Sequence, residues 1–179
     1  YNLIYLKFRG RLSTLKKGRA AKMICTFAGH REVFGLSQWP VVEALETLLS
    51  TEQELICYEG GMGEFGRLCA CAVRTLKSRH QDKRIRLILV LPYMYQRLNT
   101  DGEYYRKNFD EVIVLHELAQ VHYKKAVTAR NRWMVDQADQ LIALVWREHG
   151  GAWQTLQYAQ RRGKHSVSIK RKENAPDGA

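Results

Sequence analysis

Two glycine-rich turns hold most of the chemistry this sequence offers. They are Gly60-Gly61-Met62-Gly63 and Gly150-Gly151, each preceded by a short apolar run and followed by helical spacing. The first turn of a helix carries unsatisfied N–H donors and a partial positive charge, and glycine lets a ligand approach the main chain closely. A strand, glycine turn and helix in that order therefore suit a phosphate or a carboxylate. The plain alternative is tight-turn geometry with no ligand. Gly29, His30 and Arg31 close another apolar run, and the two side chains could donate to a phosphate, the alternative being a loop histidine bonded to backbone. Glu59 and Glu64 flank the first turn, where a carboxylate repels phosphate and suits a ribose hydroxyl, unless it only caps the helix. Tyr93 ends the most β-rich run, and Trp146 and Trp153 bracket the second glycine pair. Such rings can stack on a base, but core packing is their commoner fate. Arg130 and Arg132 precede the apolar run 141–146, with a surface ion pair as their alternative, and Thr155 lies in the helix that the second turn opens.

Other chemistries lack their residues. His116, His122, His149 and His165 are scattered without ligand spacing, so no metal site is expected. Ser37, Ser50, Ser78, Ser166 and Ser168 lie in no strand-to-helix elbow. Cys25, Cys57, Cys69 and Cys71 have no CxxC spacing and read as buried free thiols of a reducing cytoplasm, with Cys69 and Cys71 on different helix faces. No cofactor is called for.

The elements that must position these residues alternate. Apolar β-rich runs at 23–30, 54–60, 84–93, 110–116, 141–146 and 165–170 read as strands. Helical spacing fills 37–50, 64–79, 117–136 with a break near Thr128, and 152–161, and a polar loop with Asn99, Asp101 and Gly102 follows the third strand. This alternation predicts an α/β fold, a Rossmann-like, doubly wound, mainly parallel sheet with helices on both faces. Ligands of such sheets bind at the carboxyl ends of the strands, which gathers His30, Arg31, Tyr93 and both glycine turns on one edge.

With 179 residues, 45% hydrophobic, the chain supports one core. The net charge of +11 is not spread evenly: residues 1–22 hold seven Lys/Arg and no acid, 161–179 six Lys/Arg and two acids, and 23–160 sixteen of each sign. The central part is neutral, so a nucleic-acid partner is expected only through the basic ends, by a nonspecific, salt-sensitive attraction. The expected organisation is a basic N-terminal extension at 1–22 outside the fold, a domain at 23–170 and a disordered tail at 171–179. The extension lacks a secretory-signal pattern, and Met23, just before the first strand, is an alternative internal start. No run is long enough to span a membrane, the expected location is the cytoplasm, and a homodimer is left open.

Five stretches together resemble the SLOG superfamily of Rossmann-like domains, which unites DNA-processing protein A with the Lonely-guy phosphoribohydrolases. They are TFAGHREVFG at 26–35, YEGGMGEFGRLCA at 58–70, LVLPY at 89–93, ARNRWMVDQADQLIALV at 129–145 and GGAWQTLQYA at 150–159. They span about 23–170, and the nearest likeness is to small bacterial stand-alone members of unknown or regulatory function. The resemblance implies a nucleotide or nucleotide-derived ligand for a sensor or regulatory protein, and places Arg130 where Lonely-guy enzymes carry an active-site arginine. The alternatives are a phosphoribohydrolase-like enzyme acting on nucleoside monophosphates and a DNA-associated protein. Two departures stand out. Relatives are expected to carry Asp after the Phe of GEF, where this chain has Gly66. Lonely-guy enzymes carry a Glu just after their Gly-Gly turn, where this chain runs Ala152 to Tyr158 without an acid, Gln157 being the nearest counterpart. N-glycosidic cleavage builds positive charge on the ribose and needs that carboxylate, so the resemblance leans away from an enzyme.

Overall fold

A computed structural model describes residues 22–94 and 100–170. Strands β1 (Lys22–Gly29), β2 (Glu54–Glu59), β3 (Arg84–Leu91), β4 (Glu111–Val114), β5 (Gln140–Leu144) and β6 (His165–Ser168) form one six-stranded sheet in the order β4-β3-β2-β1-β5-β6. Every neighbouring pair is parallel. The sequence therefore predicts the fold class correctly. From β1 the chain builds outward through β2, β3 and β4, then returns to the other side of β1 for β5 and β6. The order reverses between β1 and β5, where an open α/β sheet leaves a crevice at its carboxyl edge.

Strands β1, β2, β3 and β5 bury both faces, as the unbroken apolar runs require, whereas the edge strand β6 is largely exposed. Cys25 and Phe27 of β1, Leu55 and Cys57 of β2, and Ile142 and Leu144 of β5 face helices α1 (Trp39–Leu49) and α2 (Gly63–Arg79), meeting Val41, Leu45, Phe65, Val73 and Leu76. The alternate residues face the other way. Ile56, Tyr58, Ile88 and Val90 meet Met134, while Ala28, Leu141 and Ala143 meet Val135, Leu156 and Ala159. These partners belong to α4 (Tyr123–Gln137) and α5 (Gly150–Arg161). Between β3 and β4 lies α3 (Gly102–Asn108), a short helix where a polar loop was expected.

The helix expected over 117–136 is shorter and later. Only a 3-10 turn, His116–Leu118, precedes α4, which runs without a break through Thr128. The Thr128 hydroxyl donates to Lys124 O at 3.2 Å, inside the helix, instead of capping a new one. Cys25, Cys57 and Cys69 are buried free thiols, but Cys71 is exposed. Burial pushes the thiols of Cys57 and Cys69 well up. The expected basic extension and disordered tail lie outside the described residues, apart from Lys22, which begins β1. No described helix is long and apolar enough to cross a membrane.

Candidate functional site

A cavity of about 580 Å³ opens at the reversal point, over the carboxyl ends of β1 and β2 and the N-terminal turns of α2, α4 and α5. Of the residues singled out in the sequence, Gly29, His30, Arg31, Gly60, Gly63, Arg130, Gly150, Gly151 and Thr155 line it. Gly61, Glu64 and Tyr93 do not. Tyr93 follows β3, and β2 separates that strand from β1.

The two glycine turns differ in what already fills them. At the first, the Gly61 amide donates to Glu59 Oε2 at 2.6 Å, and the neighbouring Gly60 and Met62 amides also favour the charged carboxylate. The Glu64 amide donates to Arg31 O at 2.7 Å, and a Cβ on Gly63 would lie 3.0 Å from Arg31 Cα. The Glu64 carboxylate is engaged as well, accepting from the Val33 amide at 2.7 Å. The chain thus supplies its own anion to this turn. Glu59 is only 4% exposed, and burial pushes its carboxyl pKa up, against the pull of those amides and of Arg130.

The second turn is open. A side chain built on Gly150 or Gly151 would meet nothing within 4 Å, and Gly150 has φ +84°, which glycine adopts without strain. The first turn of α5 has no side-chain cap and no acidic residue. Around the same cavity stand the exposed cations Arg31, Lys124 and Arg147, with Glu32 at the rim. An anion entering here meets uncommitted donors and positive charge. Thr155 is 6% exposed and fully engaged: its hydroxyl donates to Gly151 O at 2.8 Å and accepts from Asn131 Nδ2 at 3.3 Å. It shapes the turn from inside the helix.

His30 bridges the crevice. Its Nε2 accepts from the amides of Trp146 at 3.2 Å and Arg147 at 3.3 Å, and its ring meets Trp146 edge-on at 4.1 Å. Burial, then the nearby Arg147 and His149, lower its pKa, and because Nε2 accepts, the neutral ring carries its proton on Nδ1. This is the histidine bonded to backbone weighed above, and only Nδ1–H remains to meet a ligand.

Arg130 is 2% exposed. Its Nη1 donates to Gly60 O and, at 2.9 Å, to Val90 O, tying α4 to the first turn and to β3. A Cβ on Gly60 would collide with this guanidinium, and one on Gly29 would collide with the Phe65 ring, so both glycines serve close packing. Gly66 has the same kind of reason: a Cβ there would fall on Glu59 Oε1. The carboxylate comes from the end of β2 where relatives were expected to present one from the helix.

Sequence reasoning missed Lys124, Asn131, Arg147 and His149 as cavity residues. Lys124 was hidden by the misplaced helix start: in the last-turn-to-first-turn geometry of an α/β sheet, only a helix that begins at Tyr123 brings Lys124 to the ligand edge. Among the described residues no cluster of His, Cys, Asp or Glu could hold a metal ion.

The backbone that carries this site has known counterparts. DNA processing protein A from Streptococcus pneumoniae superposes with a TM-score of 0.63 at 17% identity, over 87% of this chain and 52% of that one. The fold is similar to that of part of DNA processing protein A. A second DNA processing protein A, from Helicobacter pylori, gives a TM-score of 0.60 at 15% identity, over 86% of this chain and 68% of that one. The chain spans about half the length of the Streptococcus protein. A scan against protein-family models finds no match, and neither does a search of curated protein sequences.

Proposed function

We propose that this domain binds a nucleotide or nucleotide-derived ligand as a sensor or regulatory module, with a phosphate on the open N-terminus of α5. The observation that carries this reading is the contrast between the turns: Gly150 and Gly151 are unobstructed, while the Gly60 turn already holds Glu59. Arg31, Lys124 and Arg147 supply the countercharge, and His30 Nδ1–H a further donor. The resemblance to the SLOG superfamily supports the ligand class. The test is thermal unfolding across a nucleotide panel. A ligand at a hundredfold excess over Kd adds about 2.7 kcal/mol, and Gly151→Asp, which puts a carboxylate at the phosphate position, removes that gain. A wild type unresponsive to millimolar nucleotides would point to a scaffold.

A second reading is favoured by the fold: the Helicobacter pylori counterpart is described for its single-stranded DNA binding mode. Under it the phosphate at α5 belongs to a strand, and the cations of the cavity, not only the basic ends, make the contact. Fluorescence anisotropy with a single-stranded oligonucleotide, repeated after removal of both basic ends, separates the readings. Binding that survives the removal and is lost in Gly151→Asp favours the strand.

A further inference from the structure

We propose that Glu59 is a specificity-determining residue. Its carboxylate occupies the anion position of the first glycine turn, so the cavity takes a ligand with a single phosphate, held at α5, and offers the rest of that ligand an acceptor in place of a second anion site. The placement of the single phosphate rests on the reading above; the occupation of the first turn does not.

Both turns face the same cavity, so a ligand with two linked phosphates, or two phosphorylated ends, would otherwise find two sets of main-chain donors there. Successive amides converging on one point form an anion-binding concavity. In this chain the Gly61 amide donates to the carboxylate of Glu59, and the Gly60 and Met62 amides on either side favour its charged form. The carboxylate fits because Gly66 has no side chain to fill its space, and its charge is supported from beneath by the buried guanidinium of Arg130. A phosphate could reach those amides only by displacing a buried, hydrogen-bonded group of its own sign, at close range and away from bulk water. A hydroxyl or amino group faces no such barrier, since an ionised carboxylate accepts and does not donate. The ligand class is therefore a monophosphate whose sugar or base brings hydrogen-bond donors, and pyrophosphate-bearing ligands are disfavoured.

Inorganic phosphate is the first probe, with stoichiometry read by titration calorimetry for wild type, Glu59→Ala and Glu59→Ser. Each folded variant is expected to bind one more phosphate per chain than wild type. The second probe is adenosine mono- and diphosphate, and the preference for the monophosphate should fall by about tenfold, a change of about 1.4 kcal/mol. Glu59→Ser, whose short side chain also leaves the amides open, decides the matter if Glu59→Ala does not fold. Unchanged stoichiometry in the folded variants overturns the inference. A wild type that binds no phosphate, beside a variant that binds one, would reject the α5 reading and uphold this one.

Discussion

Glu59 Oε1 lies where a Cβ on Gly66 would have to be, so the end of strand β2 and the second turn of helix α2 share one space. This predicts a strong coupling. Gly66→Ala gains about 1 kcal/mol of helix propensity but evicts a buried carboxylate from its amides, and its net effect is destabilising. In a Glu59→Ala background the same substitution raises stability by about that 1 kcal/mol. A double-mutant cycle by urea unfolding reads the coupling directly, and additive effects would mean that the two positions do not compete.

Arg130 fixes the floor of the cavity through the carbonyls of Gly60 and Val90. Arg130→Met leaves those acceptors unmet and the Glu59 carboxylate without its buried countercharge. The expected cost is about 3–5 kcal/mol in urea unfolding, as for breaking a buried charge pair. Arg130→Met with Glu59→Gln should cost less than Arg130→Met alone.

His30 makes the crevice pH-sensitive. Its pKa in the folded protein lies below the ordinary 6.5, so the unfolded chain takes up a proton more readily. The contribution of His30 to stability is present above that ordinary value and is lost as pH falls through the folded one. Its neighbours Arg147 and then His149 act in the same direction as burial. Imidazole NMR should give His30 a pKa below 6.5. His30→Gln, which retains an acceptor for Trp146 and Arg147, should flatten this part of the pH dependence of the melting temperature.

The domain is expected not to be an efficient phosphoribohydrolase. The open turn at Gly150 is followed by no acid, the Glu64 carboxylate is held by Val33, and Glu148 lies outside the cavity lining. Glu59 is the carboxylate on the cavity floor, but it is already held by main-chain amides. An assay for free base released from nucleoside monophosphates should show none with wild type. Turnover that disappears in Glu59→Gln, Glu64→Gln or Glu148→Gln would reverse this reading.

The sequence by itself determined the layer architecture, because unbroken apolar runs alternating with helical spacing can be buried only as a parallel sheet with helices on both faces. It also grouped the end of β1 with both glycine turns, and these segments line one cavity. Strand order was outside its reach, since periodicity reports which faces are buried and not which strands are neighbours. Tyr93 was grouped with the site for that reason, and β3 proves to lie on the far side of β2. The start of α4 was also illegible, because no cap marks Tyr123 and the 3-10 turn before it resembles helix. Above all, two similar glycine turns read alike in one dimension. Only the tertiary structure sets Glu59, Arg31 and Arg130 around the first and leaves the second unobstructed by protein atoms, because what fills a turn's donors comes from residues distant in the chain or facing inward from a strand end.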